Sequence, residues 1–423
     1  MKKKILVKGP AFSRSGYGEH TRFLLRSLRP HEENYDIYLI NIPWGHTGFF
    51  TEETEFRAWM DSILQKTIEY GQSGGQFDLS AQVTIPNEWE KIAPINIGIT
   101  AGIEVTKVSP QWLAKGNEVD KIIVVSEHAK QVYETSTCIA RNEATGHEVN
   151  DYHCETSIEV IHYPVREFEE EKIEGFKLDY DFNFLAVAQW GPRKNLENTI
   201  TWFLEEFKDE EVGLVVKANL AKDCIIDREI LTQKVLSLVE PHKERKCKIY
   251  LLHGELKPEQ MSWLYKHKKI KSMVSLTHGE GFGLPLFEAA YNGLPIVAPL
   301  WSGQVDFLRA PNKNGKLRPM IAKVGYTLQP VPPEVVWAGV IEEGTMWCYP
   351  HERDYKQQLR EVYKNYPRFK SAASKLKKYV LKNFSHEEQH KLFAESVLEY
   401  LGGADVDKWL SEIFAEDTVL EHE

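Results

Sequence analysis

Short apolar runs alternate with helical patterns along most of this chain, and this alternation constrains the possible fold more than any other feature of the sequence. The first run, KILVK (residues 4–8), precedes a glycine-containing loop and a helical pattern that begins near Glu19. Strand, glycine-rich loop and helix is how a doubly wound parallel sheet starts. The first half continues with a helical pattern at 55–70 and with apolar runs at 36–42, 95–100, 121–126 and 157–165.

A second series of the same kind starts at residue 182. Its apolar runs cover residues 182–188, 212–218, 248–254, 271–277 and 295–299, with helical patterns between them. Strands that alternate with helices predict parallel sheets covered on both faces. Because 423 residues are too many for one hydrophobic core, we expect an α/β protein with two Rossmann-like domains facing each other across a cleft. The predicted boundaries are 1–166 for the first domain, 167–181 for a charged linker and 182–384 for the second domain.

Composition and charge favour a soluble, cytoplasmic protein. The five cysteines are odd in number and none has the spacing CxxC, which indicates reduced thiols and neither a disulfide framework nor a zinc site. The N-terminal apolar run is too short for a signal peptide, and no stretch reaches the length of a membrane span. A net charge of −10 argues against non-specific binding to nucleic acid or anionic membrane, although a local basic groove is left open.

The strongest candidate for a binding site is the segment SLTHGEGFGLPLFEAAYNGLPIVAP, residues 275–299. A strand is expected to end near Thr277, a glycine-rich turn follows, and Pro285 fits the first turn of a helix. Free N–H groups at a helix start are well suited to a pyrophosphate. The carboxylates of Glu280 and Glu288 are suitable acceptors for sugar or ribose hydroxyls. A plain strand–helix turn with two solvated acids is the alternative interpretation.

The stretch from Glu280 to Glu288 resembles the E-x7-E signature of retaining GT-B glycosyltransferases, particularly of glycosyltransferase family four (glycosyl transferases group 1). The resemblance implies the GT-B fold, with C-terminal helices (385–423, predicted at 385–400 and 405–416) that cross back to the first domain. It also implies that Glu288 holds the ribose of a nucleotide and that Glu280 lies beside the transferred sugar. The sugar donor would be contacted by the segment that comprises Gly281, Phe282, Gly283 and Leu284.

The segment VAQWGPRKNLENTI (187–200) carries a further part of the resemblance. Lys194 matches the family lysine that neutralises the diphosphate, and Arg193 adjoins it. Cations at this place stabilise the negative charge that develops on a departing nucleoside diphosphate. Gln189 stands about where the family has an arginine, so one expected cation is replaced by a neutral amide. An ordinary basic helix start is the alternative, although cations there oppose the helix dipole.

Other loops supply the remaining predicted site residues. The loop of Gly254, Glu255 and Leu256 resembles the one whose main chain holds the nucleobase, and the loop of Gly16 and Gly18 resembles the one that closes over the donor phosphates. Main-chain recognition leaves little trace in a sequence, so the base is not identified.

Four further residues, Glu104, His128, Ser302 and Gly303, are predicted to flank the donor. Glu104 precedes the stretch Pro110-Gln-Trp112 and is a candidate catalytic acid facing the second domain, with His128 nearby. Ser302 and Gly303 stand where many relatives carry a Gly-Gly-x-x-Glu stretch beside the donor. Solvated loop residues are the alternative for all four.

The resemblance implies transfer of a sugar from a UDP- or GDP-linked donor to an acceptor hydroxyl, most often on a glycan, with retention at the anomeric carbon. No DxD-type pair of acids lies in a suitable place, so we expect no obligate metal or other cofactor. Glycosylation of hydroxymethylated DNA bases by a viral enzyme is an alternative. A sugar-nucleotide epimerase or hydrolase and a non-catalytic sugar-nucleotide binding protein are alternatives of other classes. The oligomeric state and the acceptor are not predicted.

Overall fold

The first half of the chain is built around a six-stranded parallel sheet. The computed structural model describes residues 2–45, 47–141, 146 and 148–402. Within these residues the strands of the first half are β1 (Lys3–Gly9), β2 (Tyr35–Asn41), β3 (Leu79–Val83), β4 (Ile95–Thr100), β5 (Lys121–Val124), β6 (Cys138–Arg141), β7 (Glu148–Tyr152) and β8 (Ile158–Val160). The sheet order is β2-β1-β3-β4-β5-β8, and β6 and β7 form an antiparallel hairpin. The helices are α1 (Gly16–Leu28), α2 (Glu55–Gln72), α3 (Pro110–Gly116) and α4 (Glu127–Thr135).

A second six-stranded parallel sheet forms the other half. Its order is β11-β10-β9-β12-β13-β16, from β9 (Asn183–Gln189), β10 (Gly213–Asn219), β11 (Lys248–Leu252), β12 (Ile270–Val274), β13 (Ile296–Pro299) and β16 (Ala322–Val324). Two antiparallel hairpins follow β13, made by β14 (Arg309–Pro311) with β15 (Leu317–Pro319) and by β17 (Tyr326–Pro330) with β18 (Met346–Pro350). The helices are α5 (Leu196–Glu206), α6 (Ile225–Val239), α7 (Pro258–Lys266), α8 (Leu284–Tyr291), α9 (Glu352–Lys364), α10 (Tyr366–Asn383) and α11 (His386–Leu398).

The predicted fold class is confirmed: two Rossmann-like domains face each other across a cleft, and the C-terminal helix returns to the first domain. Helix α11 packs on α1, where the rings of Phe393 and Phe23 lie 4.7 Å apart and Ser27 Oγ is 2.8 Å from His390 Nδ1. The second predicted C-terminal helix, 405–416, lies outside the described residues. The charged segment 167–181 falls within a stretch, 161–182, that has neither helix nor strand.

Strand β3 was not recognisable from the sequence. Its residues Leu79 to Val83 are all buried, but polar Ser80 and Gln82 interrupt the apolar run. Both side chains are satisfied internally, since Ser80 donates to Asn96 Oδ1 at 2.8 Å and Gln82 donates to Ser80 Oγ at 3.1 Å. A buried strand with its polar groups paired in this way has no apolar periodicity for sequence reasoning to detect.

The β17–β18 hairpin leaves the second domain and packs on the first. Its Val331, Val340 and Trp347 share one buried cluster with Trp89 and Trp112 of the first domain. The carbonyl of Gly339 accepts hydrogen bonds from Ser109 Oγ at 2.8 Å and from Asn87 Nδ2 at 2.9 Å. The chain passes between the domains at 161–182, between β8 and β9, and at 384–385, between α10 and α11. The hairpin joins the two domains at a third place, away from these two crossings. None of the described helices has the length and hydropathy that a bilayer crossing requires.

Candidate functional site

The cleft between the domains holds a cavity of about 710 Å³. It lies at the carboxyl ends of the strands of both sheets, which is where open α/β sheets bind ligands. Most residues that the sequence predicted for the site line this cavity: Gly16, Glu104, Gln189, Arg193, Lys194, Gly254, Glu255, Leu256, Glu280, Gly281, Phe282, Gly283, Leu284 and Glu288. Strand ends that lie far apart in the chain are thus assembled at one place.

Glu280 is the centre of an ion-pair cluster on the floor of the cavity. Lys194 Nζ lies 2.6 Å and 2.8 Å from its two carboxylate oxygens, and Arg193 donates to Glu280 Oε2 at 3.0 Å. Arg193 also pairs with Glu104 of the first domain at 3.2 Å. The strands β9 and β12 are neighbours in the sheet, so the loops that follow them bring the cations and Glu280 together.

The protonation state of Glu280 follows from these contacts. Burial alone would raise the pKa of its carboxyl group, but the nearby charges of Lys194 and Arg193 outweigh burial and lower the pKa to about 2. The pKa of Arg193 is raised because Glu104 and Glu280 outweigh the effect of its own burial. Burial and the charge of Arg193 lower the pKa of Lys194, although Glu280 acts against this shift. The cluster thus contains two acids and two cations.

The loop before α8 is shaped by close backbone packing. Gly283 caps the helix with a φ of 97°, in the left-handed region that favours glycine. A Cβ atom on Gly303 would lie 1.8 Å from the carbonyl oxygen of Gly281, so a side chain at 303 would displace this loop. The N–H of Glu280 donates to Ser302 Oγ at 2.9 Å, and the N–H of Gly303 donates to the carbonyl of Glu280 at 3.0 Å.

Glu288 is partly buried on α8 and has a different environment from Glu280. It accepts a hydrogen bond of 2.8 Å from the hydroxyl of Tyr265, which is itself buried. Burial raises the pKa of the Glu288 carboxyl to about 7, although the bond from Tyr265 acts against the rise. No cation lies within salt-bridge distance of Glu288 among the described residues. An acid in this position has free capacity to accept hydrogen bonds from a ligand.

The loop after β11 faces the first glycine loop across the cleft. Glu255 pairs with Arg14 of the first domain at 3.0 Å, and Gly254 has a φ of 106° beside the carboxylate of Asp223. Gly16 is the first residue of α1, whose N-cap Ser15 accepts from the N–H of Gly18 at 3.0 Å. Among the described residues that line the cavity, two ion pairs therefore bridge the cleft, Arg14–Glu255 and Arg193–Glu104.

Four predicted residues lie outside the lining of the cavity. Gly18 packs against the carbonyl oxygen of Ser13, where a Cβ atom would lie 1.9 Å away. Ser302 and Gly303 support the backbone of the loop at 280–283, as described above. His128 packs edge-on against Trp301 at 5.2 Å, and burial lowers its pKa. The structure thus gives these four residues packing or backbone contacts and does not bring them to the cavity surface.

Sequence reasoning missed several cavity residues because no local pattern marks them. Arg166 and Arg22 both pair with Glu19, at 2.5 Å and 3.0 Å, and all three line the cavity. Arg22 also donates to the carbonyls of Ala11 and Ser13, so it holds the first loop in place. Lys217 lines the cavity from β10. The position of Lys217 two residues before a strand end is the one sequence signal that could have identified it.

Comparison with solved structures shows the same fold in glycosyltransferases. A glycosyltransferase from Rickettsia africae ESF-5 matches with a TM-score of 0.57 and 14% identity, covering 95% of this chain and 100% of that chain. Anabaena Alr3699/HepE in complex with UDP and glucose matches with a TM-score of 0.55 and 12% identity, covering 94% and 100%. Sucrose-phosphate synthase (tll1590) from Thermosynechococcus elongatus matches with a TM-score of 0.56 and 13% identity, covering 98% and 100%.

These similarities define the fold as GT-B, as the sequence predicted. No family model and no curated protein sequence matches the chain. Membership of glycosyltransferase family four therefore stays a prediction that rests on the motif from Glu280 to Glu288.

Proposed function

We propose that this protein is a glycosyltransferase that moves a sugar from a nucleoside diphosphate sugar to an acceptor hydroxyl. The observation that carries the proposal is the cluster of Glu280, Lys194 and Arg193 beside the start of α8, inside a cleft between two Rossmann-like domains. Cations and free helix N–H groups suit a diphosphate. Glu288, one turn into the same helix, is placed to accept hydrogen bonds from ribose hydroxyls.

Stabilisation of the leaving group is the main chemical contribution that these residues offer. When the bond from the sugar to the diphosphate breaks, negative charge grows on the phosphate oxygens, and preorganised cations lower the energy of that state. Positioning of the acceptor against the anomeric carbon contributes the rest. We propose that the reaction retains the anomeric configuration and needs no obligate metal, with the donor phosphate helping to deprotonate the acceptor.

UDP-glucose is the first donor to test, because the Anabaena neighbour was solved with UDP and glucose. A panel of UDP- and GDP-linked sugars would be scored by the nucleoside diphosphate released, with and without candidate glycan acceptors. We expect release that depends on an acceptor hydroxyl. If none of the nucleotide sugars or their free diphosphates binds, the proposal is wrong.

The same panel separates the competing functions. Donor turnover without any acceptor would favour an epimerase or hydrolase, and binding without turnover would favour a non-catalytic sugar-nucleotide binding protein. A hydroxymethylated DNA acceptor is the less favoured choice because the chain carries a net charge of −10. We also propose a cytoplasmic location, with which the five unpaired cysteines agree.

A further inference from the structure

The cationic side chains that line the cavity differ in whether they already have an acidic partner. Six cations line it: Arg14, Arg22, Arg166, Arg193, Lys194 and Lys217. Five of them pair with a carboxylate at 3.2 Å or less. Among the described residues, no carboxylate oxygen lies within 4.0 Å of Lys217 Nζ. Lys217 is therefore the cavity cation whose charge is available to a ligand without breaking an ion pair.

Lys217 also lies beside the loop that carries Arg193 and Lys194. It belongs to β10, which is paired in parallel with β9, so that Lys217 faces Val187 and Asn219 faces Gln189 in the register. Alternate residues of a strand share one face, and all four of these side chains line the cavity. The Gln189 amide carries no charge and donates to the carbonyl of Leu220 at 2.7 Å. Lys217 therefore supplies a positive charge beside the end of β9, where Gln189 carries none.

The charge balance of the Glu280 cluster, which comprises four of the charged residues that line the cavity, indicates what this lysine meets. Glu104, Arg193, Glu280 and Lys194 together sum to zero, so the cluster alone does not compensate an incoming diphosphate. An unpaired ammonium in a partly buried place is unfavourable without an anionic partner. Burial lowers the pKa of Lys217, although the charges of Asp223 and Glu255 act against the shift. An anionic ligand in the cavity would remove this penalty.

We propose that Lys217 binds a phosphate oxygen of the nucleoside diphosphate and so provides the positive charge that the Glu280 cluster lacks. This assignment rests on the proposed function, since it presupposes a nucleoside diphosphate ligand. Lys217 acts here as a binding residue for the donor and for the released diphosphate.

The test compares a nucleoside diphosphate with its nucleoside. Affinities for UDP and uridine, or for GDP and guanosine, are measured by calorimetry on wild type, Lys217→Met and Lys217→Arg. Because a hydrogen bond to a charged group is lost, we expect Lys217→Met to lower the affinity for the diphosphate by about 10- to 100-fold. The affinity for the nucleoside should stay unchanged. Lys217→Arg keeps the charge and should recover most of the loss. Lys222→Met, an exposed lysine outside the cavity, is the matched control and should bind like wild type.

Other outcomes would contradict the role of Lys217, the proposed function, or both. If wild type binds UDP or GDP and Lys217→Met binds it equally well, the Lys217 inference falls while the proposed function stands. An equal loss for nucleoside and diphosphate would assign Lys217 to the base or to the fold, and failure of the arginine variant to recover affinity would exclude a charge effect. If wild type binds neither diphosphate, the proposed function and the inference fall together.

Discussion

At the residue scale, Glu280 holds the two cations of the cluster at fixed positions. Glu280→Gln keeps the shape of the side chain but removes the carboxylate that pairs with Lys194 and leaves Arg193 with Glu104 alone, so one buried positive charge is uncompensated. We expect a loss of about 3 kcal/mol in the free energy of unfolding, as for the removal of one partner from a buried ion pair. Urea unfolding at pH 7 measures this loss. The exposed Glu229→Gln on α6 is the control and should unfold like wild type.

The same substitution separates binding from transfer. With Glu280 neutral, Lys194 no longer pairs with a carboxylate and Arg193 keeps only Glu104, so the affinity for UDP or GDP should stay the same or rise. Sugar transfer should fall by about 100-fold, because the cations are no longer held where charge develops in the transition state. Calorimetry and the rate of diphosphate release give the two values. If the affinity and the rate of transfer fell by the same factor, Glu280 would serve only the fold.

Glu288 gives the site a pH dependence. Its raised pKa, about 7, means that the free protein binds a proton there up to neutral pH. Ribose hydroxyls donate to the ionised form, so nucleotide binding releases this proton and the affinity should rise as pH rises through about 7, by at most tenfold per unit. Titration of UDP affinity from pH 5.5 to 8.5 measures the slope. Titration of the UDP phosphates affects wild type and Glu288→Gln alike, so the difference between them reports Glu288. The variant should lack the rise in affinity that Glu288 causes. If both proteins show the same dependence of affinity on pH, the ribose assignment is wrong.

At the element scale, the parts of the site that lie within one strand–loop–helix unit were predictable, and contacts between distant units were not. The glycines and proline around Glu280 indicated the start of α8 correctly, whereas β12 ends at Val274 and not near Thr277 as predicted. The approach of Lys194 to Glu280 follows from the rule that carboxyl ends of parallel strands meet at one edge. The cluster of Glu19 with Arg22 and Arg166 joins α1 to the segment after β8, and no local pattern marks such a pair.

The loop before α8 depends on an element that follows it in the chain. Gly303→Ala places a methyl group against the carbonyl of Gly281, so the loop at 279–283 has to shift. We expect a loss of about 1–3 kcal/mol in stability, as for overpacked sites, and weaker UDP or GDP binding. Gly191→Ala is the control, because a Cβ atom there meets nothing within 4 Å. Wild-type stability and nucleotide affinity in Gly303→Ala would show that the loop tolerates the shift.

At the scale of the whole molecule, two chain crossings and one hairpin join the two domains, in addition to the side-chain contacts across the cleft. The chain crosses the cleft at 161–182 and again where α11 returns to α1, with the N–H of Val165 donating to the carbonyl of Phe384 at 2.8 Å. The third joint is the β17–β18 hairpin, whose Val331, Val340 and Trp347 are buried against the first domain. Because this joint lies apart from the two chain crossings, it restricts a simple hinge motion. Ligand entry should therefore depend on the loops that carry Arg14 and Glu255.

The hairpin joint can be tested by releasing its tip. Val340→Asp places a carboxylate in the cluster shared with Trp89 and Trp112, and because burial of an unpaired charge is strongly unfavourable, the tip should detach. Hydrogen exchange should then rise by at least tenfold in the hairpin and in α3 of the first domain, which loses the hydrogen bond between Ser109 and Gly339. Leu328→Asp, an exposed position on β17, should leave exchange unchanged. Faster exchange confined to the hairpin would show that the tip rests on the first domain without stabilising it.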